Sequence, residues 1–452
     1  MKYVSLRQTP DGWAPIAVID VADSIQVNVG PSFMRAPSHL PEDQLVKDYL
    51  FRDGMWVRRR APEPVVVAKE SPTVSSSRRE VVWSGIVTGR SGYAKANREV
   101  VLRVANKVQV FIDRAACLHF PNWGLEPYDQ ARIDALSQIP VSKKAPHVRF
   151  FTPMVYESRG RRCINFTMLE TQTVHKTFSD RLNNYDEVWV PTPWNKGIFE
   201  EAGIKIPVRV VPLGVESSTF NPYVTPELPK MKLVTTTRSW TEEKPRGFIF
   251  LTLGVPVFRK NFGLITKAIE AAFEEKDDVS LILGSTVHSD PHSYFKNAVK
   301  DIKKVRIYVL EGDLTEDQMA SLYRASNCYV SASHGEGWNL PMCEAAACGI
   351  PVIVPRNTSH LDLCDKNCYF FDPDGTAKFP ESSRDIEWFD EQLFSSFGKR
   401  SLDNLIACMR SVRFHYDDAL KRGLAFGHVM RSKYPWERSA AQVVELLSRH
   451  WR

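Results

Sequence analysis

Residues 334–354 read HGEGWNLPMCEAAACGIPVIV, and the order of residue types predicts a turn, a short helix and a strand. The run CYVSAS that leads into it, starting at Cys328, is strand-like and breaks at Gly335 and Gly337. Pro341 stands where a first helical turn tolerates a residue without an N–H, MCEAAAC is built of small residues, and Gly349 supplies a helix stop before PVIV. The junction presents the backbone N–H groups of Trp338, Asn339 and Leu340 at a positive helix end, which suits a phosphate or polar sugar oxygens. Glu336 lies at the mouth of this turn. Glu344, eight positions on, points into the same crevice, so the two carboxylates can serve two parts of one extended ligand.

The same strand-then-helix rhythm spreads outward from this stretch. Upstream lie FIFLTLG, a helix over Phe262–Phe273, VSLILG, VRIYVL and a helix over Thr315–Arg324. Before them, from Val81, come VVWSGIV, a helix over Ala94–Val104, VQVFI, VRFFTP, INFTML, EVWVP, a helix over Pro193–Ala202, and VRVVPLG. Strands alternating with helices indicate parallel sheets covered on both faces. Residues 216–247 are proline-rich without helical period and read as a crossing between two such domains. Ligands of such sheets bind beyond the carboxyl ends of the strands, which places the site in the cleft between the two domains.

Residues 1–62 differ: short apolar stretches punctuated by Pro and Gly predict a small β-rich accessory segment. APEPVVVAKESPTVSSSRRE, residues 61–80, reads as its linker. A chain of 452 residues is long enough for two domains, and 43% hydrophobic with 25% charged residues excludes collagenous, disordered and disulfide-scaffold classes. The N-terminus has no continuous apolar core of a signal peptide, and no apolar run approaches the ~20 residues of a membrane helix. The expected location is therefore the cytosol, with the eight scattered cysteines reduced.

The Glu-x7-Glu pattern inside EGWNLPMCEAAACGIPV resembles the signature of the family-4 retaining glycosyltransferases of GT-B fold. YDEVWVPTPWNKGIFEEAGI (185–204), VRVVPLGVESSTFNP (208–222), RKN (259–261) and SGYAKANR (91–98) resemble further motifs of that family in the same order. The match covers about residues 81–452. It implies an α/β chain of two Rossmann-like domains facing across a cleft. Residues 1–78 would be an accessory segment and linker, 79–235 the acceptor domain, 236–420 the nucleotide-sugar domain, and 421–452 a C-terminal helix returning to the acceptor domain.

Carried over by position, the resemblance implies that Glu344 holds the nucleotide ribose and Glu336 the hydroxyls of the transferred sugar. Lys260, helped by Arg259, would neutralise the leaving diphosphate, with Gly254, Gly335, Gly337, Trp338, Asn339 and Leu340 completing the donor site. Gly89, Ser91, Gly92 and Tyr93 would line the acceptor side. Preorganised cations and helix N–H groups can stabilise a departing diphosphate without a metal, so a nucleotide diphosphate sugar is the expected co-substrate and neither cofactor nor metal is expected. Retention implies front-face attack, with the leaving phosphate taking the acceptor proton, in preference to a covalent intermediate on Glu336.

Three positions depart from the pattern. Val255 stands where the family often has Arg, Asn339 stands in place of a small residue and is expected to reach the sugar, and Glu170 stands about where many members carry a His in the acceptor domain. A nucleotide-sugar-binding subunit without activity and a GT-B epimerase or phosphorylase remain the alternatives.

Other residues read as structural. Asp372-Pro-Asp374 has the spacing of a metal motif but sits among turn formers, and His119, His147 and His175 read as ordinary histidines. Cys364 and Cys368 lack the further ligands of a tetrahedral metal site.

The net charge of +6 conceals a segregation. Residues 1–235 carry 31 basic and 24 acidic side chains, 236–420 carry 21 and 27, and 421–452 carry 7 and 2. A basic acceptor side points to an acceptor with phosphates, either lipid-linked at an anionic inner membrane surface or a nucleic acid such as DNA with a hydroxylated base. Arg58-Arg59-Arg60, Arg78-Arg79 and Arg161-Arg162 are the first candidates for that contact.

Overall fold

A computed structural model describes residues 2–9, 12–20, 33–35, 49–52, 55–58, 79–89, 91–113, 125–153, 161–234, 240–285, 295, 298–310, 314–380 and 389–451. His119, Arg59, Arg60 and Arg78 lie outside the described residues. The chain divides into two units, Met1–Ser76 and Ser77–Arg452.

The first unit holds β1 (Lys2–Thr9), β2 (Gly12–Asp20), β3 (Phe33–Arg35), β4 (Tyr49–Arg52) and β5 (Met55–Arg58). They form one antiparallel sheet in the order β3-β1-β2-β4-β5.

The second unit begins with β6 (Glu80–Gly85), α1 (Gly92–Val104), β7 (Gln109–Ile112), α2 (Pro127–Leu136), β8 (His147–Phe150), β9 (Cys163–Phe166), α3 (Lys176–Leu182), β10 (Glu187–Val190), α4 (Pro193–Glu201) and β11 (Val208–Val210). Their six strands form a wholly parallel sheet, ordered β11-β10-β9-β8-β6-β7. Burial on both faces explains the unbroken apolar runs: every residue of β6, β9 and β10 is buried.

A second sheet follows from β12 (Met231–Val234), β13 (Trp240–Glu243), β14 (Phe248–Leu253), β15 (Val279–Gly284), β16 (Arg306–Leu310), β17 (Cys328–Val330), β18 (Val352–Pro355) and β19 (Tyr369–Phe371). Helices α5 (Phe262–Ala272), α6 (Glu316–Ala325), α7 (Leu340–Ala347) and α8 (His360–Leu363) lie between these strands. The order is β13-β12-β16-β15-β14-β17-β18-β19, parallel except at one edge. That edge differs from the sequence reading. The segment read as a plain crossing folds back as the β12–β13 hairpin and adds two antiparallel strands beside β16. Edge positions accept such strands because only one side needs a partner. A second hairpin, β20 (Gly375–Lys378) with β21 (Leu393–Ser396), carries a small core of Phe379, Phe389 and Phe394.

The C-terminal part is α9 (Lys399–Phe414), α10 (Tyr416–Lys433) and α11 (Trp436–Leu447). Residue 421 lies within α10, which packs on α7 through buried Phe426 and Met430. The return to the first sheet starts at Trp436: α11 packs on α1, Ser439 donates to Pro212 O at 2.6 Å and Gln442 to Val210 O at 2.6 Å. Trp436, Ala440, Val443 and Leu447 are fully buried there. Each large apolar side chain so placed contributes about 1.5–3 kcal/mol. Among the described residues no helix is long and apolar enough to cross a membrane.

Candidate active site

Strand order decides where chemistry can gather. In the second sheet β14 has β15 on one side and β17 on the other, so the loops leaving β14 and β17 open on one crevice. The first loop turns once at Phe258–Lys260, closed by Asn261 in the left-handed region, and thereby presents Arg259 and Lys260 together. The second loop carries residues 334–339 into α7. Asn339 adopts φ 75°, which Asn tolerates, and its side chain accepts from Met342 N at 3.3 Å as the cap of α7.

Glu336 is the focus of this crevice. Lys260 Nζ lies 2.5 Å from its Oε1 and Arg259 Nη1 3.0 Å from its Oε2. Arg259 Nη1 also donates to Gly335 O at 2.8 Å, and Glu336 N donates to Thr358 Oγ1 at 3.0 Å. Burial pushes the Glu336 carboxyl up, but Lys260 and Arg259 outweigh it and hold its pKa down at about 2. Lys260 is lowered by burial and by the neighbouring guanidinium, against the pull of Glu336.

Glu344 is buried on α7 and held differently. Its Oε1 lies 2.7 Å from Lys95 Nζ, on α1 of the facing domain, and its Oε2 accepts from Tyr323 OH at 3.1 Å. Lys95 also pairs with Glu316 at 2.8 Å and lies 4.7 Å from the centre of the Phe220 ring. Burial dominates at Glu344, so its pKa is raised despite Lys95. Farther along α1, Arg103 ties together Glu99, Glu216 at 2.5 Å and Glu437 of α11 at 2.8 Å.

The walls meet closely. A Cβ on Gly335 would fall 1.8 Å from Glu170 O, and one on Gly337 2.7 Å from Met168 Cγ, so only glycine lets the loop after β17 lie against the loop after β9. This approach brings Glu170 Oε1 to 3.5 Å from Arg259 Nη2. Glu170 is raised by burial, offset only in part by Arg259.

Thus Glu336, Lys260, Arg259 and Glu170 form one cluster, with Gly254 beside the Lys260 stem, where an added Cβ would fall 3.3 Å from Lys260 Cε. Other expected contacts have local duties. Asn339 does not extend freely into the crevice, because its amide nitrogen lies 3.0 Å from His360 Nε2 as well as its oxygen capping α7. Trp338 packs in the core, edge-on to Tyr434 at 5.3 Å. Ser91 caps α1 by accepting from Ala94 N at 3.1 Å, and Tyr93 OH donates to Met168 O at 3.2 Å. Leu340 Cδ1 approaches the place of a Gly92 Cβ at 3.9 Å, and Gly89 O accepts from Arg98 at 2.7 Å.

Outside the crevice, Asp374 accepts from Gly398 N at 2.6 Å and from the Ser401 hydroxyl, and Asp372 pairs with Arg356 at 2.9 Å, both structural roles. His147 bonds Ser84 Oγ at 2.8 Å, and the His175 ring accepts from Thr177 N at 3.2 Å as the cap of α3. Sequence reading missed Lys95, Tyr323 and Thr358. Lys95 alone left a trace, one turn beyond Ser91 on the same helix face.

These two doubly wound sheets with a shared crevice have structural counterparts of the same fold. Sucrose-phosphate synthase from Thermosynechococcus elongatus superposes with a TM-score of 0.56 over 82% of this chain and 99% of its own, at 14% identity. The trehalose-6-phosphate protein from E. coli bound with UDP-2-fluoro glucose gives 0.56 over 82% and 99%, at 12% identity. Anabaena HepE in complex with UDP-glucose gives 0.52 over 82% and 99%, at 9% identity. The fold is GT-B.

Within this GT-B chain, residues 247–383 match the family described as "Glycosyl transferases group 1". The chain is 24% identical over 177 residues to alpha-monoglucosyldiacylglycerol synthase of Streptococcus pneumoniae, 39% of this chain and 38% of that protein. It is 22% identical over 219 residues to protein 356 of Sulfolobus islandicus rod-shaped virus 1, 47% of this chain and 56% of that protein. The aligned parts thus span between a third and three fifths of these relatives.

Proposed function

We propose that the chain is a retaining glycosyltransferase that moves a sugar from a nucleotide diphosphate sugar to an acceptor, without a metal. The observation that carries this reading is the pair Lys260 and Arg259 converging on Glu336 at the switch point of the second sheet. When the donor enters, its diphosphate takes over part of the positive charge now spent on Glu336, and Glu336 turns to the sugar hydroxyls. Charge that grows on the leaving diphosphate is met by cations already in place, so little reorganisation opposes the transition state. Glu344 accepts the ribose hydroxyls, in competition with Lys95. On the acceptor side Glu170 stands where many family members have His.

The names of the solved neighbours support a uridine nucleotide as the first donor to try. The name of the pneumococcal relative, together with the basic character of residues 1–235 and 421–452, supports a lipid-linked acceptor at the anionic inner surface of a membrane. The test is donor hydrolysis without acceptor, measured for UDP-glucose, GDP-mannose and ADP-glucose. Lys260→Ala and Glu344→Ala should each lower it strongly, and unchanged turnover in both sinks the proposal. Salt-dependent binding to anionic vesicles but not to duplex DNA supports the lipid acceptor, and the reverse favours nucleic acid. Retention is read from the anomeric configuration of the first product.

A further inference from the structure

The cluster at Glu336 contains two carboxylates, Glu336 and Glu170, and two cations, Arg259 and Lys260, and they are not equivalent. Glu336 has both cations, at 2.5 and 3.0 Å, whereas the ion pair of Glu170 is with Arg259 at 3.5 Å, beyond a good hydrogen bond. All four side chains are no more than 20% exposed, so water and salt screen them little. The charged or titratable groups around Glu170 among the described residues are Arg259 and Lys260 from the loop after β14, Glu336 from the loop after β17, and Tyr93 from α1. Tyr93 is held neutral by burial and by Glu170 itself. The cluster is therefore balanced only while both cations serve the two carboxylates.

A diphosphate on Arg259 and Lys260 upsets this balance, because it adds negative charge and draws the guanidinium away from its weaker partner. Two ionised carboxylates would then face a phosphate across a buried space. Interacting acids in such a site share one proton, and it goes to the group with the poorer cation contact. We infer that Glu170 takes up a proton from water when a nucleotide sugar binds and then serves as a neutral hydrogen-bond donor to the sugar at the reacting end of the cleft. Its raised affinity for a proton before any ligand arrives agrees with this, since burial already outweighs Arg259. A protonated carboxyl supplies the donor that a histidine ring N–H would supply, which accounts for a glutamate at this position.

This inference rests on the nucleotide-sugar reading of the site, and one experiment separates the two. UDP-glucose, GDP-mannose and ADP-glucose are titrated into the full chain by calorimetry at pH 7, in phosphate and in Tris. These ligands carry no phosphate that titrates near neutrality, so a buffer-dependent heat reports protons exchanged by the protein. The expected result is proton uptake on binding by the native chain and none by Glu170→Gln, whose amide is already a donor. Donor hydrolysis should fall roughly 100-fold in Glu170→Ala and far less in Glu170→Gln. Binding with heat independent of buffer overturns the inference and leaves the nucleotide-sugar site standing, as does a Gln variant as impaired as the Ala variant. Failure of all three ligands to bind the native chain removes the nucleotide-sugar reading and this inference with it.

Discussion

Glu336 and Glu344 belong to one motif and line one crevice, yet the fold treats them oppositely. Glu336 is paired by Lys260 and Arg259 of its own domain and is held ionised, with its pKa at about 2. Glu344 is paired across the cleft by Lys95 of the facing domain, and its pKa is raised. The first end is organised before ligand arrives. The second depends on how the domains close, so a ligand at Glu344 has to replace a protein cation.

The largest effect should come from the preorganised end. Lys260→Ala leaves Glu336 with one cation and removes charge from the leaving group, and donor hydrolysis should drop roughly 1000-fold. At the other end, Lys95→Met leaves the buried Glu344 without its cation, beside the more exposed Glu316, and should cost about 3 kcal/mol, seen as a lower denaturant midpoint. That deficit should shrink when nucleotide sugar is present, because ribose hydroxyls then satisfy Glu344. An equal deficit with and without ligand would show that Lys95 and ribose do not compete.

Gly335→Ala tests the contact between the walls. Its methyl group would meet Glu170 O, so the loops must separate, and hydrolysis should fall roughly 100-fold together with a lower thermal midpoint. The smallest effect concerns pH. Glu99, next to Arg103 on α1, is raised to about 7 by burial first and then by Glu316. The folded chain keeps a proton that the unfolded chain releases near its ordinary value of about 4.3. Stability from this group is thus complete below that value and is lost as pH rises through about 7. Glu99→Gln should flatten the decline in midpoint between pH 5 and 8, and an unaltered slope would assign it to another group.

Much of the fold was legible in the chain. The βαβ rhythm, Pro341 in the first turn of α7, and the buried apolar runs of β6, β9 and β10 are local or periodic signals, and each of these elements found its place. The β12–β13 hairpin was not legible, because its short strands lie in a proline-rich stretch and gain their stability from pairing with β16, far along the chain. The cluster of Glu336, Lys260 and Arg259 could be anticipated because each follows a strand that ends at the same switch point. The bonds of Asn339 to α7 and His360, and the burial of Trp338, could not, since they depend on which way a side chain turns once the core has formed.

By itself the sequence determined two Rossmann-like domains and the loops on which charged residues would gather, since strand, turn and helix preferences act over a few neighbours. Only the tertiary structure decided which carboxylate is paired by cations of its own domain and which is claimed by the opposite domain. Lys95 and Glu344 are 249 positions apart, and Glu170 reaches Arg259 through a contact that requires a glycine at 335 on the other wall. Electrostatics in a buried cleft follows distance and solvation, and neither is written in the local order of residues.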